Sequence, residues 1–186
     1  MIGKITKNIV CYITKGNHFT KEQSEEMEYT LKVLLYEIIK IIFEVLLFYI
    51  IGYSEEVIMI ILVMVFIKPF IGGYHESTQF RCFIATVIIE LFIIILAITN
   101  QLNFISKLIL GVINIFCIYH RAPIINDKMP MKKEESIKRN RKIGITNVFI
   151  LTSLAIIFFN DRLSSVIMWT ITVLTMLMFN KSQSNF

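Results

Sequence analysis

His75 and Cys82 lie seven residues apart and together could supply a nucleophile and its base. The thiolate is the nucleophilic form of cysteine, and a nearby imidazole can take the thiol proton. A helix is predicted to begin at Thr78 or Gln79, which places Cys82 in or near the first turn, beside Arg81. The positive end of the helix dipole and the guanidinium both favour thiolate over thiol. The pattern therefore indicates nucleophilic catalysis by Cys82.

The chain before Cys82 must bend if His75 is to act as the base. In one continuous helix the two side chains would stand roughly 10 Å apart along the axis, which is too far for proton transfer. Pro69 is predicted to end the preceding helix, and Gly72 and Gly73 allow the backbone to fold back over the next helix start. A single Cys and His pair is a weak motif, however, and Cys82 could instead be a small apolar residue of a helix.

The composition is that of an integral membrane protein. Of the 186 residues, 55% are hydrophobic and only 18% charged, which is too apolar for a soluble domain and excludes intrinsic disorder. The net charge of +5 would suggest nucleic-acid binding in a soluble protein, but here basic residues mark the cytoplasmic side of a membrane. For this reason no nucleic-acid partner is predicted. The three cysteines lack metal-site spacing, and neither a metal nor a cofactor is predicted.

Apolar stretches predict an all-α fold with about six transmembrane helices. The alternative is four full spans and two re-entrant segments, because several stretches are shorter than the roughly 20 residues that cross a bilayer. The second and fourth stretches give the weakest predictions. The stretches are residues 33–53, 57–67, 83–99, 108–119, 143–159 and 163–179.

The chain is predicted to form a single membrane domain, residues 1–186. Thr20 and Gln23 have capping-box spacing at the start of the helix that enters the first span. The parts are an amphipathic interfacial helix in residues 1–19, four spans in 20–119 with the catalytic loop at 68–82, a basic cytoplasmic loop in 120–142, and two spans with a tail in 143–186.

Ionisable residues inside the spans allow two interpretations. Glu37, Lys40 and Glu44 share one helical face, so Lys40 can pair with either carboxylate in a structural stripe that faces the protein interior. Alternatively, these residues and Glu90 could line a path in a small transporter or peptide-export component. That second function needs no reactive thiol.

Two loops resemble those of the accessory gene regulator B family, AgrB, whose members are membrane peptidases that process the AgrD pro-peptide in quorum sensing. The resemblance covers nearly the whole chain. It rests on a Gly-Tyr-His run with a cysteine seven residues later and a basic residue before it, and on an Arg-Ala-Pro run that leads to paired lysines. These residues are Gly73, His75, Cys82, Lys68, Arg121, Pro123, Lys132 and Lys133.

The resemblance implies a cysteine endopeptidase that uses a His75 and Cys82 dyad. It would cleave an AgrD-like pro-peptide near its acidic C-terminal part, form a thioester on Cys82, and promote cyclisation to a thiolactone. Membrane lipids are further predicted partners, and a homodimer is a possible assembly. The family commonly has Arg at the position of Lys68, so a point-charge role is implied there. Candidates for substrate binding or for the oxyanion hole are Lys68, Gly73, Gln79, Arg81, Lys132 and Lys133.

The charges of the loops predict both termini and the catalytic site at the cytoplasmic face of the cell membrane. With that orientation, 16 of the 19 basic residues lie inside, Lys107 and Arg162 lie outside, and Lys40 is within the first span. In a variant without its other cysteines, a cysteine introduced at residues 127–131 should therefore resist an impermeant thiol reagent applied from outside. A cysteine near Ser54 or Asn100 should react. The opposite labelling pattern would overturn the orientation.

Overall fold

The protein is helical throughout the part of the chain that the structure describes. The computed structural model describes residues 2–14, 19–72, 78–124, 134–158 and 161–179. These ranges contain α1 (Ile2–Thr14), α2 (Lys21–Ile50), α3 (Ser54–Ile71), α4 (Gln79–Thr99), α5 (Phe104–Arg121), α6 (Glu134–Phe158) and α7 (Asp161–Leu177). In the same ranges the backbone forms no sheet, so the all-α prediction is confirmed.

The chain divides into two units, and the first, Met1–Leu47, contains α1 and most of α2. The predicted capping box is present at the start of α2. The Thr20 N–H donates to Gln23 Oε1 at 3.0 Å, and the Gln23 N–H donates to Thr20 Oγ1 at 3.2 Å. Along α1, Val10 is buried, whereas the apolar side chains of Tyr12 and Ile13 are exposed. The predicted N-terminal helix is therefore confirmed, and its position on the inner leaflet stays a prediction.

In the second unit, Phe48–Phe186, α7 is the central helix and packs against α3, α4, α5 and α6. Every residue from Ser164 to Thr175 except Trp169 is buried. The apolar core around this helix includes Ile167, Met168, Ile171 and Leu174 of α7 with Val63 and Ile67 of α3, Ile118 of α5 and Val148 of α6. Because α3 and α4 both pack on α7, this helix sets the positions of the two elements that flank the predicted catalytic loop.

Two glycines allow neighbouring helices to approach closely. A Cβ atom on Gly144 of α6 would lie 2.9 Å from Ile71 Cγ2 of α3, and one on Gly111 of α5 would lie 2.9 Å from Thr152 Cγ2 of α6. Small residues at contacts are typical of helix packing in membranes, where van der Waals contact replaces the hydrophobic effect. Gly144 thus lets α6 pack directly against the end of α3 that leads into the predicted catalytic loop.

The interior of the second unit contains hydroxyl groups that are bonded to their own helix. Thr170, Thr172 and Thr175 each donate a hydrogen bond to the carbonyl four residues earlier, at 2.7 to 2.8 Å. Asn114 Nδ2 of α5 also donates to Thr172 Oγ1 at 3.1 Å, and Asn114 is buried. These bonds satisfy polar groups that have no access to water, as a buried helix requires.

At one end of the second unit, polar contacts fasten α7 to the elements around it. Lys107 Nζ of α5 lies 3.1 Å from Asp161 Oδ1, and Arg162 forms an ion pair with the buried carboxylate of Glu56 in α3. We call this group the clasp; two further hydrogen bonds belong to it, from the Leu102 N–H to Ser165 Oγ and from Trp169 Nε1 to the Asn100 carbonyl. Lys107 and Arg162, the two basic residues that are predicted to lie outside, are therefore each paired with a carboxylate.

Three helices in the described ranges, α4, α5 and α6, are long and apolar enough to cross a membrane. Each of the six predicted stretches overlaps one of the helices α2 to α7. Helices α2, α3 and α7 are weaker candidates for crossing a membrane than the other three. Helix α7 has only 17 residues. The apolar part of α2 contains Glu37, Lys40 and Glu44, and α3 contains Glu55, Glu56 and Lys68.

The prediction that Pro69 ends a helix was wrong, because α3 continues through it to Ile71. A proline inside a helix removes one N–H from the hydrogen-bond ladder and disturbs the preceding turn. Here Asn147 Nδ2 of α6 donates to the Phe66 carbonyl in that turn, at 2.6 Å. A donor from another helix therefore bonds to the turn that precedes the proline. The last residue of the helix is Ile71, and Gly72 is its C-cap.

Candidate functional site

Cys82 lies in the first turn of α4, as the sequence predicts. Thr78 is the N-cap, with extended backbone dihedrals, and its hydroxyl oxygen accepts a hydrogen bond from the Arg81 N–H at 3.3 Å. The Cys82 N–H donates to the Thr78 carbonyl at 3.0 Å and so makes the first regular bond of the helix. Residues 78–82 therefore form a rigid, capped helix start on which the thiol is mounted.

Because the cap uses some of the backbone N–H groups at the helix start, only the others could donate a hydrogen bond to an oxyanion. The N–H groups of Arg81 and Cys82 are already bonded to Thr78. Helix geometry leaves the first N–H groups, those of Gln79 and Phe80, without an acceptor inside the helix. These two groups, rather than the N–H of Cys82 itself, are the backbone donors that could face a developing negative charge.

The thiol of Cys82 is half-buried and not part of a disulfide. The three residues before it, Gln79, Phe80 and Arg81, are exposed. On the opposite side of the turn, Thr86 Oγ1 donates to the Cys82 carbonyl at 2.8 Å, which fixes the backbone at this position. Cys82 thus combines a backbone held by hydrogen bonds with a partly exposed side chain.

Lys68 lies in the last turn of α3 and is half-buried. Within the described part of the chain it forms no ion pair. The Lys68 carbonyl accepts a hydrogen bond from the Gly72 N–H at 3.0 Å, which closes the helix. Lys68 is thus held by a regular helix one turn before the predicted catalytic loop.

The end of α3 is joined to the segment after α5 by a parallel backbone bridge between Gly72 and Ile124. The Ile124 N–H donates to the Ile71 carbonyl at 2.9 Å. Gly72 has φ +72°, and a Cβ atom at this position would overlap the Ile124 carbonyl oxygen. Only glycine meets both conditions, since it lacks the Cβ atom and tolerates positive φ. We call residues 71–72 and 122–124 the junction.

The junction brings together the starts of the two loops that sequence analysis singled out. Residues 73–77 follow directly after Gly72, and residues 125–133 follow directly after Ile124. Loops that begin at one backbone bridge start from the same place in space. The two loops therefore leave from neighbouring points of the backbone, although they are far apart in sequence.

Arg141 contacts the junction, although the sequence marks it only as one charge of the predicted basic loop. It lies in α6, is half-buried, and its Nε donates to the Ala122 carbonyl at 2.6 Å. A guanidinium has five N–H donors, so the contact leaves most of them for other acceptors. Arg121 at the end of α5 instead lies over the Phe179 ring, 5.1 Å from its centroid. No spacing motif links Arg141 to residue 122, so only its basic character could have pointed to it.

Several predicted site residues lie outside the described residues. Gly73, His75, Lys132 and Lys133 are among them, so the separation of His75 and Cys82 stays a prediction. Within the described ranges, no three His, Cys, Asp or Glu side chains form a group that could hold a metal ion.

The ionisable residues of the first predicted span agree in part with the predicted structural stripe. Lys40 Nζ lies 2.8 Å from Glu37 Oε2, so this lysine pairs with the first of its two candidate partners. Glu44 and Glu90 are both buried. A paired charge within a helix costs less in a membrane than a free one, which agrees with a structural role for Lys40 and Glu37.

Comparison with known proteins gives a consistent result over most of the chain. The family model of accessory gene regulator B, AgrB, matches residues 6–179. The "Putative AgrB-like protein 1" of Clostridium perfringens (strain 13 / Type A) is 44% identical over 179 residues, which are 96% of this chain and 96% of that protein. The "Putative AgrB-like protein" of Clostridium beijerinckii is 26% identical over 155 residues, 81% of this chain and 77% of that protein. No solved structure matches the chain.

Alanine should have different effects at Gly52 and Gly72, although φ is positive at both glycines. Gly52 has φ +81° and open space around it, whereas Gly72 has φ +72° and faces the Ile124 carbonyl. Gly52→Ala should lower the free energy of unfolding by about 1 kcal/mol, the cost of positive φ alone. Gly72→Ala should cost at least about 2 kcal/mol, because the bridge must also separate. Thermal unfolding in detergent measures both, and equal losses would show that the bridge is not tightly packed.

Proposed function

This chain belongs to the AgrB family, and from that membership we propose that it is a membrane cysteine endopeptidase that cleaves an AgrD-like pro-peptide and promotes its cyclisation. Membership itself implies processing of an AgrD pro-peptide in the membrane. The observation that carries the finer proposal is the position of Cys82, half-exposed in the capped first turn of α4. A thiol at a helix start is placed where the helix dipole favours its reactive form.

In the first step, His75 takes the proton of Cys82, and the thiolate sulfur attacks the scissile carbonyl of the peptide. The carbonyl oxygen becomes negative and is stabilised by the backbone N–H groups of Gln79 and Phe80. When the intermediate collapses, the C–N bond breaks and the imidazolium returns its proton to the leaving amine. The products of this step are the free acidic tail and a thioester between the peptide and Cys82.

In the second step, a thiol of the bound peptide attacks the thioester and releases Cys82 as the thiol. One thioester is exchanged for another, so little free energy is lost and the product is a macrocyclic thiolactone. The step competes with hydrolysis, and it succeeds only if water is kept from the thioester. Holding the peptide's own nucleophile beside the thioester supplies a high effective concentration.

The basic groups around the site are proposed to bind the acidic tail that leaves. Lys68 has no ion-pair partner among the described residues, and Arg141 holds a guanidinium at the junction. Lys132 and Lys133 follow on the loop that begins there. A carboxylate just beyond the cleaved bond would bind such cations and align the bond with the thiol.

We propose that helices α2 to α7 all cross the membrane, with α1 on the inner leaflet and both termini inside. The pairing of Lys40 with Glu37 and of Glu56 with Arg162 reduces the cost of placing α2 and α3 in a bilayer. Lys107 and Arg162, the basic residues on the proposed outer side, are both in ion pairs of the clasp. The unpaired basic residues are then concentrated on the cytoplasmic side.

Variants of the dyad test the chemistry against the transporter alternative. Cys82→Ala and His75→Ala should each reduce pro-peptide cleavage by about 10⁴-fold, since loss of a nucleophile or its base removes most of the rate enhancement. Cleavage is measured by mass spectrometry of a synthetic pro-peptide added to protein in lipid nanodiscs. The matched controls are Cys117→Ala and His120→Ala, which change the same residue types on α5 and should retain activity. Cleavage by Cys82→Ala at the parent rate would sink the peptidase proposal.

Charge reversal tests the role of Lys68. Lys68→Glu should slow cleavage of an acidic-tailed peptide about tenfold, because one attraction becomes a repulsion of similar size. A peptide whose tail carboxylates are replaced by lysines should be cleaved better by Lys68→Glu than by the parent. Lys32→Glu, at an exposed position of α2, makes the same change in net charge and should leave both rates unaltered. If Lys68→Glu also leaves them unaltered, Lys68 is a membrane anchor.

A further inference from the structure

Three residues of α6, spaced three positions apart, contact the end of α3 and the junction. Arg141 donates a hydrogen bond to the junction at 2.6 Å. A Cβ atom on Gly144 would lie 2.9 Å from Ile71 Cγ2, in the last turn of α3. The half-buried Asn147 donates from Nδ2 to the Phe66 carbonyl, earlier in α3, at 2.6 Å. Because residues three apart lie on one side of a helix, α6 follows this end of α3 over about 9 Å.

The last turn of α3 needs support from outside its own helix. Pro69 lies inside α3. A proline has no N–H, and its ring pushes on the carbonyl four residues earlier, so the hydrogen bonds of the helix itself hold this part less firmly. Asn147 bonds to the turn before the proline, and Gly144 packs on the turn after it. The direction in which α3 ends is therefore set by α6 as well as by α3.

The end of α3 limits where the proposed base can lie. His75 itself lies outside the described residues, but it is three residues from Gly72 and three residues from Thr78. Three residues of chain span at most about 10 Å, so His75 is tethered closely to both points. Thr78 caps the helix start that carries Cys82, and Gly72 is fixed to the last turn of α3. The distance from the imidazole to the thiol thus depends on where that turn is held.

The same kinds of contact occur elsewhere in the second unit, away from the predicted catalytic loop. Asn114 Nδ2 of α5 also donates to another helix, to Thr172 Oγ1 of α7, at 3.1 Å. A Cβ atom on Gly111 of α5 would lie 2.9 Å from Thr152 Cγ2 of α6, the same approach as at Gly144. Both residues are at least about 10 Å along α5 from the junction. They show what such contacts do when they serve packing alone.

We propose that Asn147 is a positioning residue for the peptidase reaction: by fixing the last turn of α3 it sets the distance between His75 and Cys82. It acts through the backbone of α3 and need not contact the peptide. A displacement of about 1 Å at reacting groups can cost a reaction about 100-fold, so a small shift of the turn suffices. The inference rests on the proposed function, because the dyad belongs to it.

The experiment measures the reactivity of the thiol without any peptide. Full-length protein in lipid nanodiscs carries Cys11→Ala and Cys117→Ala, which leaves Cys82 as its remaining thiol. Alkylation of Cys82 by iodoacetamide is followed by mass spectrometry from about pH 5 to about pH 9, because the thiolate is the form that reacts. His75→Ala gives the profile of a thiol without its base, and cleavage of a synthetic pro-peptide is measured in parallel.

Asn147→Leu keeps the size of the side chain and removes the donor. It should shift the pH dependence of alkylation toward that of His75→Ala and slow cleavage about 10-fold to 100-fold. Asn147→Gln retains an amide donor and should restore most of the parent behaviour. Asn114→Leu is the matched control, because it removes the same donor from another contact between helices, and it should match the parent in both assays.

A second pair of variants disturbs the same turn by volume and keeps the Asn147 bond. Gly144→Ala should act in the direction of Asn147→Leu, whereas Gly111→Ala, with an equally close contact, should match the parent. This pair decides the question if Asn147→Leu does not fold.

Parent-like alkylation and cleavage by Asn147→Leu, with a shifted profile for His75→Ala, would overturn the positioning role alone. A parent-like profile for His75→Ala would overturn the dyad and the positioning role together. A protein that shows the Asn147→Leu shift but cleaves no pro-peptide would refute the proposed function and leave the positioning of His75 intact.

Discussion

The burial of α7 on all sides is the constraint on which the second unit depends. Four helices pack on it, and they include α3 with Lys68 near its end and α4 with Cys82 at its start. A helix in this position must satisfy its polar side chains without water, and its threonines do so by bonding to carbonyls of their own helix. Because protein interiors are densely packed, a shift of α7 would move both helices of the candidate site.

The two ends of the second unit are held in different ways. At the clasp, ion pairs and side-chain hydrogen bonds join α7 to α3 and α5, and they use the basic residues Lys107 and Arg162. At the junction, the contact is made by backbone atoms of Gly72 and Ile124, with Arg141 as an added donor. Lys107 and Arg162 are paired with carboxylates at the clasp, whereas Lys68, one turn before the junction, forms no ion pair with any residue that the structure describes. If the clasp faces outward, as we propose, this difference agrees with the excess of basic residues expected on the cytoplasmic side of a membrane.

Local structure was predictable from the sequence because it depends on residues a few positions apart. The Thr20 and Gln23 capping box, the Thr78 cap and the position of Cys82 in the first turn all follow from hydrogen bonds within a single turn. The apolar stretches likewise predicted where helices lie, and the run around Cys82 identified the family. These features need no knowledge of what packs against them.

Only the tertiary structure decided which distant residues meet. Pro69 lies inside α3 and does not end it, and Asn147 of another helix donates a hydrogen bond to the Phe66 carbonyl in the preceding turn. Gly72 is required by the carbonyl of Ile124, and Arg141 reaches residue 122, although nothing in the local sequence links either pair. The Arg141 contact depends on the packing of α6 against α5, whereas the bridge of Gly72 depends on the approach of the end of α3 to the segment after α5. Many helix arrangements bury the same apolar residues, so the sequence pattern specifies helices but not their neighbours.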